Sequence, residues 1–213
     1  MTTTPSAADL RGRLAPLYAP PREPVLVDIP ELGWLMVDGT GSPAGEGAAE
    51  PTGFQQAIGA LYPVLYTLKF RLKRTGTVVP VLPLEALWFT ADDGSFDVSA
   101  PAAAWRWRAL IAVPDGITLG LVEETVSEVR RKRGSFPALE SVRWERWREG
   151  RAAQVMHVGP YREEAPTIQR LHAFIAAQGL RPRGAHHEIY LGDPRRSAPE
   201  RLRTVLRQPV SED

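Results

Sequence analysis

The chain has no cysteine among its 213 residues. That absence excludes disulfides, thiolate nucleophiles and cysteine-bound zinc or iron–sulfur centres. Net charge is almost missing too: 26 basic residues against 25 acidic leave +1, which gives no reason to expect a nucleic-acid or membrane-surface partner. The opening "MTTTPSAADLRGRLAPLYAPPREP" holds no apolar run long enough for a signal peptide or a membrane span, so a cytoplasmic location is expected. Histidine is scarce, and none of His157, His172, His186 and His187 has the i, i+4 helical spacing of a hydrolytic zinc site. His186 and His187 are adjacent, so on a strand they point to opposite faces and do not serve one ion. No metal and no cofactor is expected. The G-x-S-x-G elbow, the G-x-x-x-x-G-K-[ST] phosphate loop and the G-x-G-x-x-G fingerprint are all lacking. "RRKR" (130–133) reads as the dipole-favoured basic end of an amphipathic helix.

Proline and tryptophan are abundant. Twenty prolines punctuate the elements, and all six tryptophans lie between residues 34 and 147. Residues 1–24 read as a tail with at most one short helix, and strand signals run from 25 to 41. A loop follows, then a helix whose Phe54, Ile58, Leu61, Leu65, Leu68 and Leu72 keep helical spacing, with Tyr62 and Tyr66 on its flank. Pro63 inside it predicts a local distortion. "TVVPVLPLEALWFT" (77–90) reads as extended, and "AAAWRWRALIAVP" (102–114) as a strand with Trp105 and Trp107 on one face. A second helix at 117–134 ends at Gly134, and residues 138–161 read as a hairpin turning near "REGR". A third helix over 163–178 precedes strands at "HHEIYL" and "LRTVLRQPV".

Strand, glycine turn, long helix and a strand with a central glutamate occur twice. The first half holds Glu85 and the second holds Glu188. The predicted fold class is α+β: two β-α-β-β modules (about 25–114 and 138–210) related by a pseudo-two-fold axis, with a connecting helix at about 118–133. Their antiparallel sheets would join, with the long helices on one side and a central pocket.

In "HHEIYL", Ile189 and Leu191 share one strand face, and Glu188 and Tyr190 share the other. Placing Ile189 and Leu191 beneath the helices sends Glu188 to the opposite face, either into water or into a pocket lined by Trp105, Trp107, Trp144 and Trp147. A carboxylate among aromatics is costly to ionise, so its pKa would rise and suit it to general acid–base work. A solvated strand-edge glutamate is the plain alternative. Trp34 and Trp88 read as core, while Trp105 and Trp107 divide between core and pocket.

"MHVGPYREEAPTIQRLHAFIAAQGL", "GAHHEIYLGDPRRSAPERLRTVLRQPV" and "WRWRALIAVPDGIT" resemble the GyrI-like small-molecule-binding proteins. The likeness is strongest to a stand-alone branch associated with hydrolysis of cyclopropane-bearing DNA-alkylating compounds. It covers about residues 25–210, and Gly192 stands where serine is frequent. The resemblance implies a small planar, cationic or electrophilic ligand, and Glu188 as the catalytic carboxylate. Tyr66 is a further catalytic candidate, for the oxygen on which negative charge develops. Ligand-binding candidates are Trp105, Trp107, Tyr190, Trp144, Trp147, Glu85, His157 and Tyr161. Three functions remain open from sequence: a detoxifying hydrolase, a drug-sequestering binder and a ligand-sensing module.

Overall fold

The computed structural model describes residues 7–43, 50–92, 94–97 and 99–212. The fold is α+β, with helices α1 (Ala7–Tyr18), α2 (Gly53–Arg74), α3 (Leu119–Arg133), α4 (Pro137–Glu140) and α5 (Ala165–Ala177). The strands are β1 (Val25–Thr40), β2 (Leu84–Phe89), β3 (Arg106–Val113), β4 (Arg143–Val158), β5 (Arg181–Pro182), β6 (His186–Tyr190) and β7 (Arg203–Ser211). No described helix is long and apolar enough to cross a membrane. Two compact units form, each from separate stretches of chain. The first combines the described residues through Arg13 with Leu32–Leu82 and Ala100–Trp147. The second combines Leu14–Glu31, Pro83–Ser99 and the chain from Arg148 onward.

In the first unit, β1 and β3 pair antiparallel from Gly33↔Val113 to Thr40↔Arg106. Helix α2 packs against β3, α3 and α4. It starts at a capping box, where Thr52 Oγ1 accepts from the Gln55 amide and Gln55 Oε1 accepts from the Thr52 amide. It runs through Pro63 without ending, and buries Phe54, Ala57, Ala60, Leu61, Val64, Leu65 and Leu68. Ile58 and Leu72, expected on the same stripe, are only half-buried, because alanines carry the inner edge instead. Helix α3 is capped by Thr118, which accepts from the Leu121 amide, and ends at Gly134 with φ +83°.

The second unit is built on a sheet in which β6 lies between β2 and β7, and β7 also pairs with β4 and β5, all antiparallel. Helix α5 covers it through a cluster of Leu171, Ile175, Ala153, Val155, Leu180, Leu206 and Val210. Each fully buried leucine or isoleucine there contributes roughly 1.5–3 kcal/mol.

The hairpin expected over 138–161 does not form. Residues Arg143–Val158 are one continuous strand, and Gly150, at φ +78°, takes up the irregularity inside it. A glycine with positive φ serves a bulge as well as a turn, so the "REGR" signal was ambiguous.

Candidate functional site

The site grows from the alternation of β6. Glu188 pairs with Leu206 and Tyr190 with Thr204 on β7, while Val155 and His157 of β4 lie opposite Leu206 and Thr204. Opposed residues share a face, and Leu206 and Val155 are the residues packed under α5. Glu188, Tyr190 and His186 are therefore on the helix-covered face. Ile189 and His187 are on the other. This corrects the sequence expectation, which placed Ile189 beneath the helices. It failed because Ile189 packs instead on a face that also buries several charged groups.

Around Glu188 the donors are few. The Tyr190 hydroxyl donates to Glu188 Oε2 at 2.7 Å, and the Trp88 indole N–H donates to the Tyr190 oxygen at 3.3 Å. Trp88 reaches it because β2 and β6 pair with Trp88 opposite His186. His186 Nε2 lies 3.7 Å from Glu188 Oε1, beyond hydrogen-bond range. Phe96 stacks on the His186 ring at 5.9 Å, and Tyr161 meets the Tyr190 ring edge-on at 5.6 Å. The Glu188 side chain keeps 15% of its surface exposed.

Electrostatics follow from burial. Desolvation raises Glu188 above the ordinary carboxylate range, against weaker opposing pulls from the Tyr190 and Trp88 donors and the His187 charge. Glu164, just before α5, is 5% exposed. Desolvation, joined by the charge of Glu188, pushes it up to about 9. Burial drives His186 down to about 3, so its imidazole is neutral. Burial also raises Tyr190, and the neighbouring Glu188 charge adds to the effect. Tyr161 is raised to about 12 for the same first reason. His157 is lowered by burial, and its Nδ1 lies 3.0 Å from Thr167 Oγ1.

The opposite face holds the other glutamate. Glu85 is fully buried, accepts from the Tyr18 hydroxyl at 2.8 Å, and has Oε2 2.9 Å from His187 Nε2. His187 Nδ1 contacts Glu149 Oε1 at 2.8 Å, and Arg207 Nη1 donates to Glu149 Oε2 at 3.2 Å. Arg207 also donates to Gln154 Oε1 and to the Leu17 carbonyl, and Gln154 Nε2 donates to the Pro16 carbonyl. Those carbonyls end α1, where helical C=O groups lack intrahelical partners. Glu85 is thus committed to a structural network of which Glu188, bonded to Tyr190 on the other face, is no part. Sequence reasoning missed Glu149, Gln154 and Arg207. The register signal was present, since Gln154, Arg207 and His187 lie side by side on neighbouring strands.

The remaining candidates belong to the first unit. Trp107 is buried, meets Phe54 edge-on at 5.2 Å, and lies so close to Gly39 that a Cβ there would be 2.2 Å from its ring. Trp105 precedes β3, and its indole N–H donates to the Ala100 carbonyl. Trp147 stacks on Trp34 at 5.3 Å, and Trp144 lies against Gly33. Tyr66 is 43% exposed within a stack running from Tyr62 to Phe70 along α2. A surface groove of about 590 Å³ beside α2 and α3 is lined largely by arginines and glutamates, and Arg71 and Glu124 within it are paired at 2.6 Å. Among the described residues no group of three His, Asp or Glu could hold a metal ion.

Residues 128–211 match the model of the GyrI-like small molecule binding domain. The chain is similar to an uncharacterized conserved protein from Listeria innocua, at 36% identity and TM-score 0.83, over 95% of this chain and 98% of that one. It is similar as well to a hydrolase from Listeria innocua, at 34% identity and TM-score 0.80, with the same coverage. The EcmrR C-terminal domain shares the fold, with TM-score 0.55 at 14% identity over 90% of this chain and 98% of that one. No curated protein matches the chain. The chain belongs to the GyrI-like small-molecule-binding family.

Proposed function

We propose that this protein binds planar electrophiles, such as compounds with a cyclopropane conjugated to a carbonyl, and hydrolyses them with Glu188 as general base. The observation that carries the reading is the state of Glu188: a nearly buried carboxylate with one firm donor, Tyr190, and no arginine or lysine paired with it among the described residues. Such a carboxylate is a stronger base than one in water, because desolvation penalises its charge. Tyr190, steadied by Trp88, holds the oxygen not used for proton transfer. A water at the other oxygen gives a proton to Glu188 while its own oxygen bonds to the strained ring carbon. The breaking carbon–carbon bond sends its electron pair toward the conjugated carbonyl oxygen. The 34%-identical hydrolase supports a hydrolytic reading. Tyr161 and the Tyr190 ring supply aromatic surface beside the carboxylate. Trp105, Trp107, Trp144, Trp147, Tyr66, Glu85 and His157 are proposed to serve the structure rather than the chemistry.

The test is steady-state turnover of a cyclopropane-bearing alkylator by wild type and Glu188→Gln, with product followed by mass. Loss of kcat by roughly 10²–10⁴-fold with retained binding supports the base role. Equal rates remove Glu188 from the mechanism. Tryptophan quenching that saturates at one equivalent without product would favour pure sequestration, which the small-molecule-binding family model also accommodates.

A further inference from the structure

Resting on the hydrolytic reading above, we propose that Glu164 is a second catalytic carboxyl: it donates a proton to the oxygen on which the ring-opening electron pair collects. Glu164 caps α5 from the turn that begins at Tyr161, and the Tyr161 ring touches Tyr190. Thr204, opposite Tyr190 in the β4–β7–β6 register, lies beside Glu164. These contacts place Glu164 on the Glu188 side of the sheet. Its side chain caps nothing, since no N-cap hydrogen bond is made. Glu164 Oε1 is buried without a hydrogen-bond partner, and His186 Nε2 beside Glu188 is likewise buried and unpartnered, while the Thr204 hydroxyl stands by the Glu164 carboxyl and favours its charged form. An α5 cap or a buried ion pair would each leave a firm partner, and Glu164 has only the Thr204 hydroxyl beside it, which lowers its pKa less than burial raises it.

The two carboxyls differ in a way that sorts their roles. Glu188 receives the Tyr190 hydroxyl and is the one stabilised as an anion. Glu164 receives little, is desolvated, and feels the Glu188 charge, so it keeps its proton at neutral pH. Other titratable groups about the pair are His186 and Tyr190 on β6 and Tyr161 before α5, with His172 of α5 acting on His186, Asp193 acting on Tyr161, and His187 acting from the opposite face. In the proposed step, water loses a proton to Glu188 and its oxygen bonds to the ring carbon. The carbon–carbon bond breaks, and the oxygen receiving the electron pair takes the Glu164 proton to become a hydroxyl. The proton on Glu188 then passes to Glu164, restoring both groups with one water consumed.

The experiment uses two cyclopropyl dienones whose released phenols differ in acidity, with kcat followed against pH. Glu164→Gln, which is isosteric with the protonated acid, is expected to lose about 10²–10³-fold in kcat. The loss should be greater for the less acidic phenol, and the alkaline limb of the profile should vanish. Glu164→Asp keeps a carboxyl and should retain that limb at a shifted position. Equal losses on both substrates with the limb unmoved in either variant overturn the role of Glu164 while leaving Glu188 in place. No turnover by wild type is a different result, and removes the hydrolytic reading together with this one.

Discussion

Replacing His187 with alanine tests the buried network more sharply than any surface change. Beneath β6 two carboxyl groups, Glu85 and Glu149, face Arg207 and His187, and all four residues are at most 5% exposed. Among the described residues His187 contacts both carboxyls, at 2.9 Å to Glu85 and 2.8 Å to Glu149. Burial works against a charged imidazole, but the Glu149 carboxylate outweighs it and holds His187 above its ordinary value. Burial likewise works against the Glu149 charge, yet His187 and Arg207 bring it down to about 2. Removing His187 breaks its buried pair with the Glu149 carboxylate, which costs about 3–5 kcal/mol. For a chain of this size that is a fall in Tm of roughly 6–20 °C. Adding Glu149→Gln to the alanine variant should recover part of the loss, because the two groups couple. The pH dependence has two limbs. The His187 contribution is complete below about pH 6.5 and is lost as pH rises through its raised folded value. The Glu149 contribution, roughly 3 kcal/mol, is present above its unfolded value and lost as pH falls toward about 2. Urea unfolding across pH reads both limbs. A loss under about 1 kcal/mol, unchanged with pH, would refute the charged-histidine account.

Gly39→Ala is expected to destabilise by about 1–3 kcal/mol, because the new methyl would overlap the Trp107 ring at 2.2 Å. Chemical denaturation measures it, and unchanged stability would mean that the ring moves aside freely. Tyr190→Phe removes the hydroxyl that Glu188 accepts. The acidic limb of kcat/KM should then move to higher pH and kcat should fall by about tenfold, as for a lost charge-assisted hydrogen bond. A profile that does not move would detach Tyr190 from Glu188.

Much of this arrangement is written in local pattern. Helical spacing marked α2, α3 and α5, and Gly134 ended α3 as its position foretold. Strand alternation separated Glu188 and Tyr190 from Ile189, and that separation holds in the register. Which face meets a helix is set by partners distant in sequence. Leu206 and Val155, beside Glu188, carry the α5 contact, so local hydrophobicity at Ile189 misled. Glu85 and Glu188 looked equivalent because both are central glutamates in similar strands. Only tertiary context shows Tyr18 and His187 occupying one and leaving the other. Gly150 likewise reads the same in a turn and in a continuous strand.

The most direct test of the central claim is turnover in water labelled with heavy oxygen. Wild type should release a ring-opened product carrying one labelled oxygen, cycle after cycle, and Glu188→Gln should bind the same compound while releasing almost none. Labelled product formed at equal rates by both proteins, or compound bound by wild type and recovered unchanged, would contradict it.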